Sequence, residues 1–229
     1  MVSSIKGHNI VTKYIDKESY VLDLGANKGD FAQKLYGLTK ARIFSVEPCL
    51  DNYNRIPKLG ENVKMNVAVS ELSKKYFLTL NENSESNALY EREPVDCMYC
   101  VVEGVTFSEI ISRNQIDKLS LLKMDIEGTE IKVLKSIPQP FLKKVKQITI
   151  EFHDFIGDGI VTQEDVTEIC NYLKHNGFSV IKFSPLSNKD VLFLNNSDFS
   201  KSEVILIKTI YRLRYWVALT ISKLFNGDL

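Results

Sequence analysis

The sequence lacks a long apolar run: no stretch reaches the ~18 residues from which a membrane-spanning helix is read. Its first segment, MVSSIKGHNIVTKYIDKE, lacks an apolar signal core, so a cytoplasmic location is expected. Net charge is lacking too. Lys+Arg and Asp+Glu both number 29, which leaves no global field to gather nucleic acid, and no nucleic-acid partner is expected. Four cysteines in 229 residues are too few and too scattered for a disulfide framework. Cys97-Met-Tyr-Cys100 has no second pair to complete a zinc site, so these thiols read as packing groups. Repeats, low-complexity tracts and linkers are also missing, which suits a single domain.

What the sequence does have is alternation. Strand-like apolar runs at Tyr20–Gly25, Arg42–Glu47, Val63–Val69, Ser120–Asp125, Lys146–Phe152, Phe178–Phe183 and Glu203–Lys208 are separated by helical patterns. Such alternation argues for an α/β fold with a mostly parallel sheet. Phe31–Leu38 is short and amphipathic, and Thr106 with Glu109 spells a capping box. Thr162–Asn176 is the clearest helix: Thr162 caps it, Val166, Ile169, Cys170 and Leu173 form its stripe, and Gly177 ends it. Residues 81–96 are polar and turn-rich, beside a small hairpin of Tyr76–Leu80 with Met98–Val102.

The first strand runs into YVLDLGANKGDF, residues 20–31. A strand, then Gly25-x-x-x-Gly29, then a helix is a nucleotide-binding turn, where glycine permits close backbone approach. Glu47 ends the second strand 22 residues after Gly25, where a carboxylate can accept both hydroxyls of a ribose. The spacing is not the G-x-G-x-x-G of a dinucleotide site, because Asn27 holds the middle position. Asp23 would repel a pyrophosphate but not an ammonium. S-adenosylmethionine, with a ribose, an ammonium and no phosphate, fits these acids better than NAD.

These motifs, with SVEP (45–48), NVAVSE (66–71), KMDIEGTEIKVL (123–134) and IEFH (150–153), resemble the FkbM family of class I S-adenosylmethionine-dependent methyltransferases. The resemblance runs from about Tyr20 to Phe152. It implies a Rossmann-like class I methyltransferase fold, a seven-stranded sheet with an antiparallel last strand and helices on both faces. It also implies O-methylation of a hydroxyl on a sugar, glycan, glycolipid or small metabolite. By the same resemblance Asp23, Gly25, Ala26, Asn27 and Gly29 form the cofactor loop, Glu47 meets the ribose, and Asn66 to Ala68 border the adenine. RNA or protein methylation, and a non-catalytic binding module, are the competing readings.

Three carboxylates, Asp125, Glu127 and Glu130, crowd the end of the strand at LLKMDIEGTE (121–130), where open α/β sheets bind ligands. Under the family's strand order Asp125 and His153 end neighbouring strands, and either could take the acceptor proton. Glu127 either lines the site or bonds the loop's own amides. A second mechanism has Asp125 with Glu151, His153 or Asp154 hold a divalent ion that acidifies the hydroxyl. The direct-base mechanism, without a metal, is favoured. Glu130 reads as a helix N-terminal charge outside the site, Lys123 as a partner for one of the acids, and His8 and His175 show no partners.

Residues 1–208 therefore read as the methyltransferase domain and 209–229 as a basic amphipathic helix. Ile210, Leu213, Val217, Ile221 and Leu224 share one face, among Lys208, Arg212, Arg214 and Lys223. Packing on the domain or on a second copy is the first reading of that face. Peripheral membrane contact is the alternative.

Overall fold

The computed structural model describes residues 2–81, 87–153, 161–183, 188–211 and 213. Asp154 and most of the expected 209–229 helix lie outside these residues. The chain opens with a hairpin the sequence reading missed, β1 (Val2–Ile5) and β2 (His8–Val11). Lys6 and Gly7 join the strands with φ of 51° and 85°, the positive values a two-residue hairpin loop requires.

The expected alternation follows: β3 (Tyr20–Leu24), α1 (Asp30–Thr39), β4 (Arg42–Val46), the short α2 (Leu50–Arg55) and β5 (Val63–Met65). The strand expected over Val63–Val69 is really two. The chain breaks at Asn66 and resumes as β6 (Ala68–Ser70) in a second sheet with β7 (Lys75–Thr79), β8 (Leu89–Tyr90) and β9 (Tyr99–Thr106), ordered β6-β9-β7-β8. There β7 and β9 are antiparallel, as the hairpin reading required. The Thr106 capping box with Glu109 opens α3 (Phe107–Arg113). Then come β10 (Leu121–Met124), α4 (Glu130–Ser136), α5 (Gln139–Leu142) and β11 (Gln147–Ile150). Next is α6 (Gln163–His175), whose Thr162 cap forms a second capping box with Asp165. The order closes with β12 (Phe178–Lys182), β13 (Val191–Asn195) and α7 (201–211).

The main sheet has seven strands in the order β12-β13-β11-β10-β3-β4-β5. β13 is antiparallel to both its neighbours and the other pairs are parallel. The expected antiparallel last strand is present, but it is VLFLN at 191–195, all five residues buried, and not Glu203–Lys208. Residues 203–208 are helical because Ser200 and Glu203 cap each other. The Ser200 amide donates to Glu203 Oε2 (3.0 Å) and the Glu203 amide donates to Ser200 Oγ (3.3 Å).

Alternation along the strands sends side chains to two cores. Leu22, Leu24, Phe44, Val46, Leu122, Met124, Ile148 and Ile150 pack with residues of α3, α4 and α6. Val21, Ile43 and Leu121 point the other way, onto Phe31 and Leu35 of α1 and Ile5 and Ile10 of the hairpin. That second face also carries a polar seam. Lys123 is in register with Asp23 on one side and Thr149 on the other. Gln147 extends the seam to β2, where its side chain bonds both the amide (2.8 Å) and the carbonyl (3.1 Å) of Val11. The hairpin is thus fixed over the seam, with His8 lowered to the strand ends. Of the cysteines, Cys49 and Cys170 are buried as packing groups should be, whereas Cys97 is exposed.

Candidate active site

At the carboxyl ends of β3, β4 and β10 lies a cleft open to solvent at its mouth. Gly25, Asn27, Glu47, Ala68, Asp125 and Glu127 line it, joined by Leu78 and Leu89 from the second sheet.

The glycine turn is shaped by close approach. Gly25 has φ +75° and a Cβ there would fall 1.7 Å from the Asp125 carbonyl oxygen, so no other residue fits without moving β10's end. The amides of Gly25 and Ala26 both donate to the Val46 carbonyl (3.0 Å each). The next amide, of Asn27, donates to Glu47 Oε2 (2.8 Å), and the Cys49 amide donates to Glu47 Oε1 (2.9 Å). Glu47 is therefore fixed by two backbone donors, one per oxygen, where it lines the cleft. Burial pushes its carboxyl above the ordinary range, partly offset by those two bonds.

Asp23, which the resemblance puts in the cofactor loop, does not line the cleft. It is fully buried beneath the turn, 3.2 Å from the Lys123 ammonium. Lys123 also donates to the Gly25 carbonyl (2.6 Å) and lies 3.5 Å from Asp125. The sequence reading gave Lys123 one acid; it holds two, together with the glycine turn. The Asn66 amide nitrogen donates to the carbonyls of Glu47 and Pro48 (2.9 Å each) and so braces the loop beside the cleft. Ala68 borders the cleft as expected, and Ala26 and Gly29 shape the turn behind it.

Asp125, Glu127 and His153 come together as anticipated. His153 Nε2 is 3.2 Å from Glu127 Oε2 and 3.6 Å from Asp125 Oδ1. Its Nδ1 is 2.8 Å from Glu130 Oε1. Glu130 does sit in the first turn of α4, as expected, but it is joined to the acid cluster through His153 and is not outside it. It is fully buried and accepts from the amides of Ile126 (3.2 Å) and Gly128 (3.1 and 3.2 Å), tying the 126–128 loop to the imidazole. Its bond to His153 crosses 23 residues of sequence and left no local signal.

The charges differ sharply. Burial opposes ionisation of Asp125, but Lys123, His8 and His153 outweigh it and hold its carboxyl well below the usual range. Burial also opposes charge on His153, yet the Glu130 bond and the acids around it raise the imidazole to about 9. Glu127 is raised to about 7, first by burial and then by Asp125, Glu130 and Glu151, with His153 acting against them. Glu151 is raised by burial and by Asp125. His8, given no partner above, is buried within 3.7 Å of Asp125 Oδ2.

The seven-stranded sheet with β13 antiparallel to its neighbours, and a glycine turn and acid cluster at its strand ends, is the Rossmann-like fold of class I methyltransferases. Residues 23–180 match the Methyltransferase FkbM domain, and the chain belongs to that family. Among curated proteins it is 23% identical to the hexuronic acid methyltransferase AglP of Haloferax volcanii, over 69% of this chain and 64% of that one. The chain thus aligns with a little under two thirds of that relative. Among solved structures it is similar to an rRNA methylase from Streptococcus thermophilus (TM-score 0.46, 10% identity, 80% of this chain and 88% of that one). It is also similar to Aeropyrum pernix fibrillarin with natively bound S-adenosyl-L-methionine (TM-score 0.44, 11% identity, 79% and 66%). Among the described residues no helix is long and apolar enough to cross a membrane.

Proposed function

We propose that the protein is an S-adenosylmethionine-dependent O-methyltransferase whose acceptor is a hydroxyl of a sugar, glycan or glycolipid. One observation carries this reading: a single cleft holds Glu47, an acid aimed to accept hydroxyls, and Glu127, an acid set to accept a proton. When bound, the cofactor supplies an electrophilic methyl group on a sulfonium. The residues present fit it. Glu47 lines the cleft as a carboxylate for a ribose, and Gly25 and Asn27 line it beside the end of β10, which only a glycine at 25 lets the turn approach.

Asp125, kept ionised by Lys123, gives fixed negative charge beside a cationic group. This preorganised charge needs no reorganisation during reaction. Glu127 takes the acceptor proton, because its raised value places it near working pH. His153 stays protonated and orients Glu127 instead of acting as the base, and Glu130 fixes the imidazole. Orientation of the two reactants supplies most of the rate, where effective molarities of ~10⁵ M or more are attainable. The carbohydrate acceptor is supported by the hexuronic acid methyltransferase relative, and a peripheral membrane site for the tail would suit a lipid-linked glycan.

The test is calorimetry with S-adenosylmethionine, S-adenosylhomocysteine and NAD, followed by mass spectrometry of neutral and uronic-acid oligosaccharides incubated with protein and methyl donor. Binding of the first two ligands and a methylated sugar are expected. Binding of NAD alone would overturn the cofactor reading.

A further inference from the structure

We propose that His8, Asp125 and Glu151 bind one divalent transition-metal ion of the Mn²⁺ or Zn²⁺ class. The three come from separate elements: His8 from β2 of the N-terminal hairpin, Asp125 from the end of β10 and Glu151 from the end of β11. One ligand atom of each lies within 4.8 Å of the others. With metal–ligand distances of roughly 2.0–2.2 Å, two ligands of one ion lie at most ~4.4 Å apart, so the three close on an ion with a small inward shift of the partly exposed Asp125 and Glu151 side chains.

The observation beyond clustered acids is the state of His8. It is 1% exposed, and among the described residues its Nε2 has no hydrogen-bond partner. Asp125 Oδ2 lies 3.7 Å from that nitrogen, too far for a hydrogen bond. A buried polar nitrogen left unmatched costs free energy unless a ligand fills the gap. The ring is nevertheless held in place. Nδ1 is 3.4 Å from the Thr149 hydroxyl, and Phe31 packs edge-on against the ring at 5.7 Å. With Nδ1–H donating to Thr149, Nε2 carries the lone pair a metal needs, the usual arrangement behind a metal-bound histidine.

Surrounding charge permits an ion. Lys123 Nζ is 3.5 Å from the same Asp125 oxygen but 3.2 Å from Asp23, so one ammonium is shared between two carboxylates. Glu151 brings a second carboxylate to the cleft side. Asp125 and Glu151 are partly exposed, which opens a path from solvent to the buried imidazole. The neighbouring group of Asp125, Glu127 and His153 is as compact. There, however, Nδ1 faces Glu130 and Nε2 faces Glu127 at hydrogen-bonding distance. One imidazole nitrogen with two carboxylates favours a borderline ion over the all-oxygen cages of Ca²⁺ and Mg²⁺. Three protein ligands leave positions for water or an acceptor oxygen.

The site does not require the methyl-transfer reading, and its test reads binding directly. The full chain is stripped with chelator and titrated with Mn²⁺ and Zn²⁺ by calorimetry, and Co²⁺ is added to record its visible absorption. One ion per chain is expected, with His8→Ala and Glu151→Gln each weakening it at least tenfold and Glu127→Gln leaving it unchanged. His8→Gln is the second variant if His8→Ala does not fold. S-adenosylhomocysteine affinity, measured in the same samples, reports the fold and separates loss of this site from failure of the cofactor reading. No stoichiometric ion on the wild-type chain, or equal affinity in the folded His8 variants, overturns the proposal.

Discussion

Lys123 and Asp23 face each other across adjacent parallel strands in direct register, 3.2 Å apart, with side chains 3% and 0% exposed. A charge this deep is tolerated only when paired. Removing the ammonium would leave Asp23 alone in the interior and release the Gly25 carbonyl. Lys123→Met should therefore lose about 3–5 kcal/mol of stability, and the Asp23→Asn/Lys123→Met double variant should recover much of it. Urea unfolding measures both. A single variant that unfolds at the wild-type midpoint would show that the pair is not stabilising.

Glu47 makes the cofactor prediction specific. Both its oxygens already accept backbone amides, so Glu47→Ala would remove the proposed ribose contact and also free the loop at Asn27 and Cys49. Binding of S-adenosylhomocysteine should weaken by roughly 1.5–3 kcal/mol, the scale of charge-assisted hydrogen bonds. Unchanged affinity by calorimetry removes Glu47 from that role.

Much of this site was legible because its signals are local. The glycine turn, Glu47 at a strand end and the acids around Gly128 each sit within a few residues of a readable pattern. The capping boxes at Thr106 and Thr162 are equally local. What escaped depended on distance or on weaker punctuation. Glu130 gains its role only when His153 arrives from the next strand, and Asp23 is diverted from the cleft by Lys123, a contact across 100 residues. The N-terminal hairpin did leave a trace, Lys6-Gly7, in place of the Asn-Gly or Asp-Gly that marks such loops most strongly. The Ser200–Glu203 box was also in plain sight, and it decides helix over strand for an apolar run that reads as either.

Glu127 is the residue on which catalysis should turn. Glu127→Gln keeps the shape and the cleft lining but cannot accept a proton, so turnover should fall ~10²-fold or more while cofactor affinity holds. Stopped assays on the sugar acceptor, beside calorimetry, separate the two effects. Full turnover would mean that the proton leaves elsewhere.

His153 and Glu127 set a pH dependence with a defined sign. Both folded values exceed the ordinary ones, about 9 against 6.5 and about 7 against 4.5, so both groups hold protons more tightly in the folded state. The stability they bring is complete below the ordinary values and is lost as pH rises through the folded ones. In chelator-treated protein the thermal midpoint should fall between pH 6.5 and about 9, and His153→Gln should flatten that fall. Glu130→Gln removes the leading cause that raises the imidazole, so His153 should titrate lower by NMR. A midpoint that rises across this window would contradict the assignment.

The last prediction concerns the surface next to the tail. α7 anchors Val204 in a core with Phe199 and Leu192, so one face of this helix is committed to the domain. Ile205 and Leu206 remain about 60% exposed (63% and 59%), and Ile210 and Leu213 are also open. Basic residues follow at Arg212, Arg214 and Lys223 with no acid between Glu203 and Asp228. Exposed apolar side chains followed by cations suit the headgroup layer of an anionic membrane, where each basic residue is worth ~1 kcal/mol. The full chain should float with phosphatidylserine vesicles at low salt and release at high salt, and Ile205→Glu/Leu206→Glu should stay behind while folding normally. If the wild-type chain remains in the soluble fraction at low salt, the exposed face serves contact with protein and not with lipid. Sedimentation should then show a dimer that the double glutamate variant breaks.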